Sequence, residues 1–440
     1  MTANRRWVLA KRPQGVPRAD DFKLDETTLP DIQDGQALIR VEHISVDPGM
    51  RSRLSGDSYA PALGLGETIE SAGVGKVLAS RNAKFKEGAH VWGGFGWQSH
   101  FVTDGKGVQA LDPEIYKGAI KPTAAIGVFG IPGLTAFFGL FEIGKPKDGN
   151  VVVISSAAGT VGATAGQIAK MQGCTTIGIA GSDAKCAYLK EIGFDTAINY
   201  KTAGPLAAAF KQAAPKGIDI YFDNVGAETL DAAIVNMRKN GRIVVSGQIA
   251  EYNTGEPRGI RHTLPFITQR LKMEGLVVYD YGVQFNEARA QMADWVRQGK
   301  LTYREEIIEG LEQAPKAFID VEHDELAGDA AIEAVGDEQQ RFRVAGAVDE
   351  PLRRQGRRNV TLPWLQAVPI GGRRQVQDHD ELSAAAFGVG AGRRSLTATP
   401  APATARTVQP SLMLPGRART GRRNVSPRSP LSAHSNIRRG

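Results

Sequence analysis

Cysteine is nearly absent: Cys174 and Cys186 are the two thiols in 440 residues. Two thiols build neither a disulfide framework nor a Cys-rich zinc site. His43, His90, His100 and His262 are scattered without ligand-like spacing, so no metal is expected. No Ser/His/Asp constellation is legible either. Long apolar runs are also missing. Nothing reaches the roughly 18 consecutive apolar residues a membrane span needs. The N-terminal segment, with Arg5, Arg6, Lys11 and Arg12, lacks the apolar run of a signal peptide. The sequence therefore predicts a cytoplasmic protein with no membrane partner.

Lysine is missing from one region. Residues 351–440 hold 16 Arg, no Lys and three acids, a net of +13, which leaves −6 on residues 1–350 out of the +7 total. The body has no basic footprint, and no nucleic-acid partner is expected. Lys316 is the last lysine. Beyond it Pro, Ser, Ala and paired Arg come to dominate without periodicity, so residues 321–440 read as a disordered Arg-rich tail. A shifted reading frame in a GC-rich gene leaves the same composition. An RNA-binding arm is the weaker alternative, since charge runs are usually passive surface.

What is present is glycine, 51 residues, and a hydrophobic fraction of 42%, enough for two domains with real cores. Residues 35–102 are β-rich: Gln36–Glu42 alternates, Val74–Ala79 forms a second run, and Ser99–Val102 follows a glycine-rich turn. From Gly127 apolar strands alternate with helices, the pattern of a parallel sheet with crossovers. The expected strands are Val151–Ile154, Thr176–Ile179, Ala197–Ile198, Ile218–Phe222, Arg242–Val245 and Gly275–Val278. Helices fit over Gly162–Met171 and Asp183–Ile192, and an amphipathic stretch over 287–299 returns toward the first domain.

The strand Val151–Ile154 runs into Ser155-Ser156-Ala157-Ala158-Gly159-Thr160-Val161-Gly162 and then a helix. This reads A-x-G-x-x-G, a dinucleotide turn with Ala157 in the first glycine position. Gly159 lets the backbone approach a pyrophosphate, Gly162 allows tight helix–strand packing, and the helix N-terminus faces the phosphates. The second strand lacks the acid that an NAD site uses to accept from the ribose 2′-OH. Instead Ala180-Gly181-Ser182 leaves room for a 2′-phosphate, with Lys185 as its cation; Asp183 is a competing ribose partner but fits better as a helix cap. The missing acid points to NADP(H).

Further runs stand out: Phe129-Gly130-Ile131-Pro132-Gly133-Leu134-Thr135-Ala136, Gly166-Gln167-Ile168-Ala169-Lys170, Tyr221-Phe222-Asp223-Asn224-Val225-Gly226, Gly247-Gln248-Ile249 with Tyr252-Asn253, and Asp47-Pro48 with Met50-Arg51. Together they resemble one family, the zinc-independent medium-chain reductases of the prostaglandin reductase / leukotriene B4 12-hydroxydehydrogenase type, including bacterial curcumin-reductase-like enzymes. The resemblance spans about residues 4–319. It implies an α/β fold: a GroES-like β-rich catalytic domain over 1–126, a Rossmann doubly wound parallel sheet binding NADP over 127–285, a return to the catalytic domain over 286–320, and the tail from 321.

It further implies NADPH-dependent reduction of a carbon–carbon double bond conjugated to a carbonyl. Gly159, Thr160, Val161 and Gly162 would hold the pyrophosphate, with Lys185 and Tyr200 at the 2′-phosphate. Asn224, Ser246, Gly247, Gln248, Leu276, Val277 and Val278 would line the nicotinamide side. Tyr252 is the candidate donor to the developing oxyanion, the alternative being that it only walls the pocket. Tyr59 lies near the substrate. A small-molecule enone or enal is the expected partner, and a homodimer is compatible with the resemblance though no residue pattern specifies it. An idle NADP-binding protein and a quinone reductase of the same superfamily remain open. One departure stands out: the family's closing Asn-x-Gly-Lys segment and final strand are not found after Phe318-Ile319-Asp320.

Overall fold

The chain opens with an antiparallel pair, β1 (Thr2–Leu9) and β2 (Phe22–Leu29). β3 (Ala37–Val46) starts a larger sheet. Ala37, Ile39 and Val41 are fully buried, the alternation visible in the sequence. A register shift between Val41 and His43 moves that alternation by one, so Ile44 and Val46 turn inward. A short helix, α1 (Met50–Ser55), precedes β4 (Gly73–Ser80), β5 (His90–Gly93), β6 (His100–Thr103) and β7 (Val108–Ala110). β4 joins β3 to β5, β7 adds to β5, and β6 pairs with β3.

Helix α2 (Ile131–Phe138) leads into the parallel sheet. Its strands are β8 (Val151–Ile154), β9 (Thr175–Ala180), β10 (Thr196–Asn199), β11 (Ile218–Asp223), β12 (Met237–Val245) and β13 (Lys272–Gly275). They lie in the order β10-β9-β8-β11-β12-β13. The crossovers are α3 (Thr160–Met171), α4 (Asp183–Glu191), α5 (Leu206–Ala213) and α6 (Ala227–Ile234), and α7 (Leu264–Thr268) precedes β13. Covered on both faces, the central strands are largely apolar: Val152, Val153, Ile154, Tyr221 and Phe222 are each fully buried. Consecutive strands run outward in both directions from the β8–β11 boundary. The crevice at such a switch point, beyond the carboxyl ends of the strands, is where doubly wound folds bind ligands.

One strand is displaced from expectation. The apolar run Gly275–Val278 predicts a strand there, yet β13 covers Lys272–Gly275. As the sheet's outer strand it has a solvent face that tolerates Lys272 and Glu274. The apolar residues come after it: Leu276 donates once more to the Val245 carbonyl at 3.0 Å, and Val278 is buried in a neighbouring cluster.

The chain then returns. Helix α8 (Phe285–Arg297) buries Ala288, Met292 and Ala293 on one face. β14 (Ile307–Glu309) and α9 (Ala314–Glu322) follow, and α9 extends past the boundary at 320 read from the sequence. The Trp7 indole donates to the Leu311 carbonyl at 2.7 Å. The Phe318 ring meets Phe22 at 6.2 Å and Trp97 at 6.0 Å, edge-on, in the centre of the first core. β15 (Ala330–Glu333) pairs antiparallel with β3 and parallel with β14, and β16 (Val344–Ala345) pairs antiparallel with β14 and β15. A returning strand is therefore present even though the Asn-x-Gly-Lys segment is not. β3 offers an open edge, and the apolar Ala330-Ala331-Ile332 run supplies a strand to fill it.

This computed structural model describes residues 1–322, except Asp57, Tyr59 and Pro257, together with 330–334 and 344–345. All of them belong to one compact unit, Met1–Gln355. The rest of the expected tail lies outside the described residues, as does Tyr59. Among the described residues no helix is long and apolar enough to cross a membrane.

Candidate cofactor and active site

All strands of the second sheet are parallel, so every loop that follows a strand emerges at the same edge. That topology gathers Gly159–Gly162 after β8, Lys185 after β9, Tyr200 after β10, Asn224 after β11, Ser246–Gln248 after β12 and Leu276–Val278 after β13. Tyr252 sits among them on the loop that continues from β12.

The turn after β8 is tight. Ser156 takes a left-handed φ of 47°, and Gly159 caps α3 in an extended conformation without a side chain in the way. A Cβ on Gly162 would lie 2.5 Å from the Ser156 carbonyl oxygen and 2.6 Å from Ala157 Cα, a contact no backbone tolerates. Only glycine closes this turn. Thr160 and Val161 are half-buried at the helix N-terminus, whose first N–H groups have no partner within the helix. Such a cradle fits the pyrophosphate of a dinucleotide.

At the end of β9 the cap of α4 is Ser182, whose Oγ accepts from the Lys185 N–H at 3.2 Å. The expectation that Asp183 caps this helix is thus corrected. Ser182 holds the extended cap geometry, while Asp183 is already the first helical residue and accepts from Asn199 Nδ2 at 2.8 Å. Tyr200 donates its N–H to the Ala180 carbonyl at 3.0 Å, which brings it beside the end of β9. Lys201, not singled out from the sequence, stands 5.7 Å from the Tyr200 ring centre. Lys185, half-buried, and Lys201 make this corner cationic. The set of donors, two lysines and the Ser182 region with no acid on the strand itself, fits a 2′-phosphate.

Beneath the turn lies a hub that sequence reasoning missed. The buried Asp223 carboxylate accepts from Ser155 Oγ at 3.2 Å, Tyr221 Oη at 3.1 Å, and the N–H groups of Val225 and Gly226 at 3.1 and 2.9 Å. Burial pushes its carboxyl upward, opposed by these donors. The Asp223 carbonyl receives Ser246 and Gly247 N–H at 2.8 and 3.1 Å. Asn224 donates from its backbone to Ser155 Oγ at 2.8 Å and from Nδ2 to the Ser155 carbonyl at 2.7 Å. One acid thereby ties the loops after β8, β11 and β12 together. Its signal in the sequence is an acid ending an apolar strand directly before Asn224.

The Tyr252 hydroxyl accepts from the Gln248 N–H at 3.2 Å and stands against Gly247. Next to it, Asn253 Oδ1 accepts from Arg51 Nε at 2.8 Å, and Asn253 Nδ2 donates to Glu322 Oε2 at 2.7 Å. Burial lifts the Glu322 carboxyl to about 7, with the Asn253 amide and the Arg51 charge pulling against it. Of the three residues after β13, Leu276 is half-buried, Val277 exposed and Val278 buried. Val278 packs into the core with Phe129 and Met292 rather than into the crevice.

Residues 5–111 match the family described as the N-terminal domain of oxidoreductase, and residues 160–298 match the zinc-binding dehydrogenase family. Despite that second description, among the described residues no group of three or more His, Cys, Asp or Glu side chains is placed to hold a metal ion. The NADPH-dependent curcumin reductase of Escherichia coli is 37% identical over 343 residues, covering 76% of this chain and 98% of that protein. The 2-alkenal reductase (NADP(+)-dependent) of Nicotiana tabacum is 38% identical, covering 72% and 93%. The crystal structure of CurA from Vibrio vulnificus in complex with NADPH is 37% identical with a TM-score of 0.71, covering 76% of this chain and all of that one. By these similarities the chain belongs to the zinc-independent medium-chain dehydrogenase/reductase family that includes the curcumin and prostaglandin reductases.

Proposed function

We propose that this chain uses NADPH to reduce the carbon–carbon double bond of α,β-unsaturated ketones or aldehydes. The observation that carries the reading is the meeting, at one sheet edge, of the Gly159–Gly162 turn, the cationic end of β9 and the Tyr252 hydroxyl. Relatives named for curcumin and 2-alkenal reduction support it. When bound, the dinucleotide supplies a hydride to the carbon β to the carbonyl.

The chain's own residues do the rest. Gly159, Thr160, Val161 and Gly162 hold the pyrophosphate against the N-terminus of α3. Lys185 and Tyr200 hold the 2′-phosphate, with Lys201 beside them. Asn224, Ser246, Gly247, Gln248, Leu276 and Val277 line the nicotinamide side, and Tyr59 belongs to the substrate pocket. As charge grows on the substrate's carbonyl oxygen, Tyr252 donates its O–H to it. The Gln248 N–H, donating into the same phenol oxygen, polarises that O–H further. The domain division near residue 127, with the return at 286, is part of this reading.

The purified protein is expected to consume NADPH with 3-nonen-2-one, and faster than with 1,4-benzoquinone. Lys185→Ala removes a charge-assisted contact worth about 1.5–3 kcal/mol and raises the KM for NADPH roughly tenfold or more. The KM for NADH stays nearly unchanged. NADPH binding without turnover would instead restore the idle-protein reading, and a faster quinone reaction the quinone-reductase reading.

The partner reading extends to a homodimer. β13 is the outermost strand and its far edge has no partner among the described residues. Leu264, Ile267, Tyr279 and Val283 are exposed near it in sequence, at 66%, 75%, 55% and 95%. Sedimentation velocity is expected to give about twice 47.1 kDa and Ile267→Lys to dissociate the pair; a monomer at micromolar concentration rejects it. The same reading assigns the chain to the cytoplasm, where free Cys174 and Cys186 stay reduced, which cell fractionation tests.

A further inference from the structure

We propose that Arg51 is a positioning residue for the reaction: from the first domain it holds the loop that carries Tyr252. The residue is 3% exposed, and each nitrogen of its guanidinium donates one hydrogen bond. Nε donates to Asn253 Oδ1 at 2.8 Å, Nη2 to the Gly15 carbonyl at 2.6 Å, and Nη1 to Ser55 Oγ. Asn253 is the neighbour of Tyr252. Its amide is gripped from both ends, since Nδ2 donates to Glu322 on α9 at 2.7 Å. Gly15 faces the same corner: a Cβ placed on it would meet the Asn253 carbonyl oxygen at 3.8 Å. Two segments far apart in sequence, at Arg51 and at Glu322, therefore converge on one residue beside the oxyanion donor.

Backbone bonds hold the near side of that loop. Ile249 and Ala250 donate to the Asn224 and Val225 carbonyls, just after β11, at 3.4 and 3.1 Å. Within the loop Tyr252 donates to the Ile249 carbonyl at 3.4 Å, its Oη accepts from the Gln248 N–H, and Thr254 donates to the Glu251 carbonyl. Asn253 ties that end of the loop to Arg51 and Glu322. The Glu322 Oε1 atom is buried with no partner among the described residues, so the carboxyl's one side-chain bond is the one to Asn253. A displacement of about 1 Å in a donor costs on the order of a hundredfold in rate. Removing the clamp lets Tyr252 drift without emptying the dinucleotide cradle, which lies on the other side of the Asp223 hub.

The inference rests on Tyr252 being the donor, and the experiment separates the two. In the full-length protein, Arg51→Ala and Asn253→Ala are each expected to lower kcat on an enone about 10- to 100-fold. NADPH affinity stays within about twofold, and the double variant is no worse than the poorer single. Arg51→Lys, which keeps one donor, falls between. In a Tyr252→Phe background Arg51→Ala adds no further loss; an equal loss there overturns the proposal. Amide exchange reads the clamp without reference to chemistry: residues 249–254 lose protection in Arg51→Ala, and unchanged protection overturns it whatever Tyr252→Phe does. If Arg51→Ala fails to fold, Asn253→Ala carries the same measurements, since it removes only two side-chain bonds from a half-buried loop.

Discussion

Tyr252→Phe is expected to lower kcat for enone reduction by about 10²–10³, the usual cost of one lost oxyanion donor, with the KM for NADPH moving less than twofold. The substitution keeps the ring and removes one oxygen. That oxygen receives the Gln248 N–H at 3.2 Å, so the variant also leaves that N–H with one acceptor fewer. The loss therefore has two parts, and they separate. The donor part appears in kcat alone, because the charge on the substrate oxygen exists only in the transition state. The Gln248 part appears as a small change in the loop's protection. Single-turnover kinetics with saturating NADPH gives the first directly. A kcat within about threefold of the parent reduces Tyr252 to a wall of the pocket.

Gly162→Ala carries the second large effect. A single methyl would sit 2.5 Å from the Ser156 oxygen and 2.6 Å from Ala157 Cα, both backbone atoms held by the β8 turn. The helix must slide away from the strand, at about 1–3 kcal/mol of overpacking strain. The slide moves the N–H groups of Thr160 and Val161 off the pyrophosphate. NADPH affinity is expected to weaken roughly 10- to 100-fold by titration calorimetry. Gly166→Ala is the control for strain remote from the phosphates. A Cβ there would meet the Phe194 ring at 1.9 Å, so that variant loses stability more than it loses affinity. Equal NADPH affinity in Gly162→Ala and the parent would remove the turn from the cofactor site.

Much of this site was readable because a parallel sheet does its own gathering. Once Val151–Ile154, Ile218–Asp223 and Arg242–Val245 are recognised as parallel strands, the residues after each must share one edge. Gly159, Asn224 and Gly247 then fall together with no distance needed. What escaped depends on separation or on a single residue of phase. Ser182 and Asp183 both suit a helix cap, and only the backbone angles decide between them. Leu276–Val278 has the composition of a strand, but composition does not register the sheet's edge. Arg51 and Asn253 are 202 residues apart, and Asn253 and Glu322 another 69. No local pattern announces either contact. The returning strand was hidden by a different cause: Ala330–Glu333 is short and lies where the family's closing motif is missing, yet β3 needs only a short extended segment along its edge.

The Trp7–Leu311 bond spans 304 residues, and Phe318, with Leu311, Ala314, Ala317 and Val321, completes a core whose other buried residues lie mostly between Leu9 and Val108. The part of the molecule that is synthesised first is thus the part that is finished last. At about 5–20 residues per second, the ribosome delivers Phe318 some tens of seconds after Trp97. The parallel sheet, whose strands lie within 151–275, has all of its partners before Phe318 is made. The nascent N-terminal half waits with an open edge on β3 and an empty place beside Trp97, the stretch of its life in which a chaperone has most to protect.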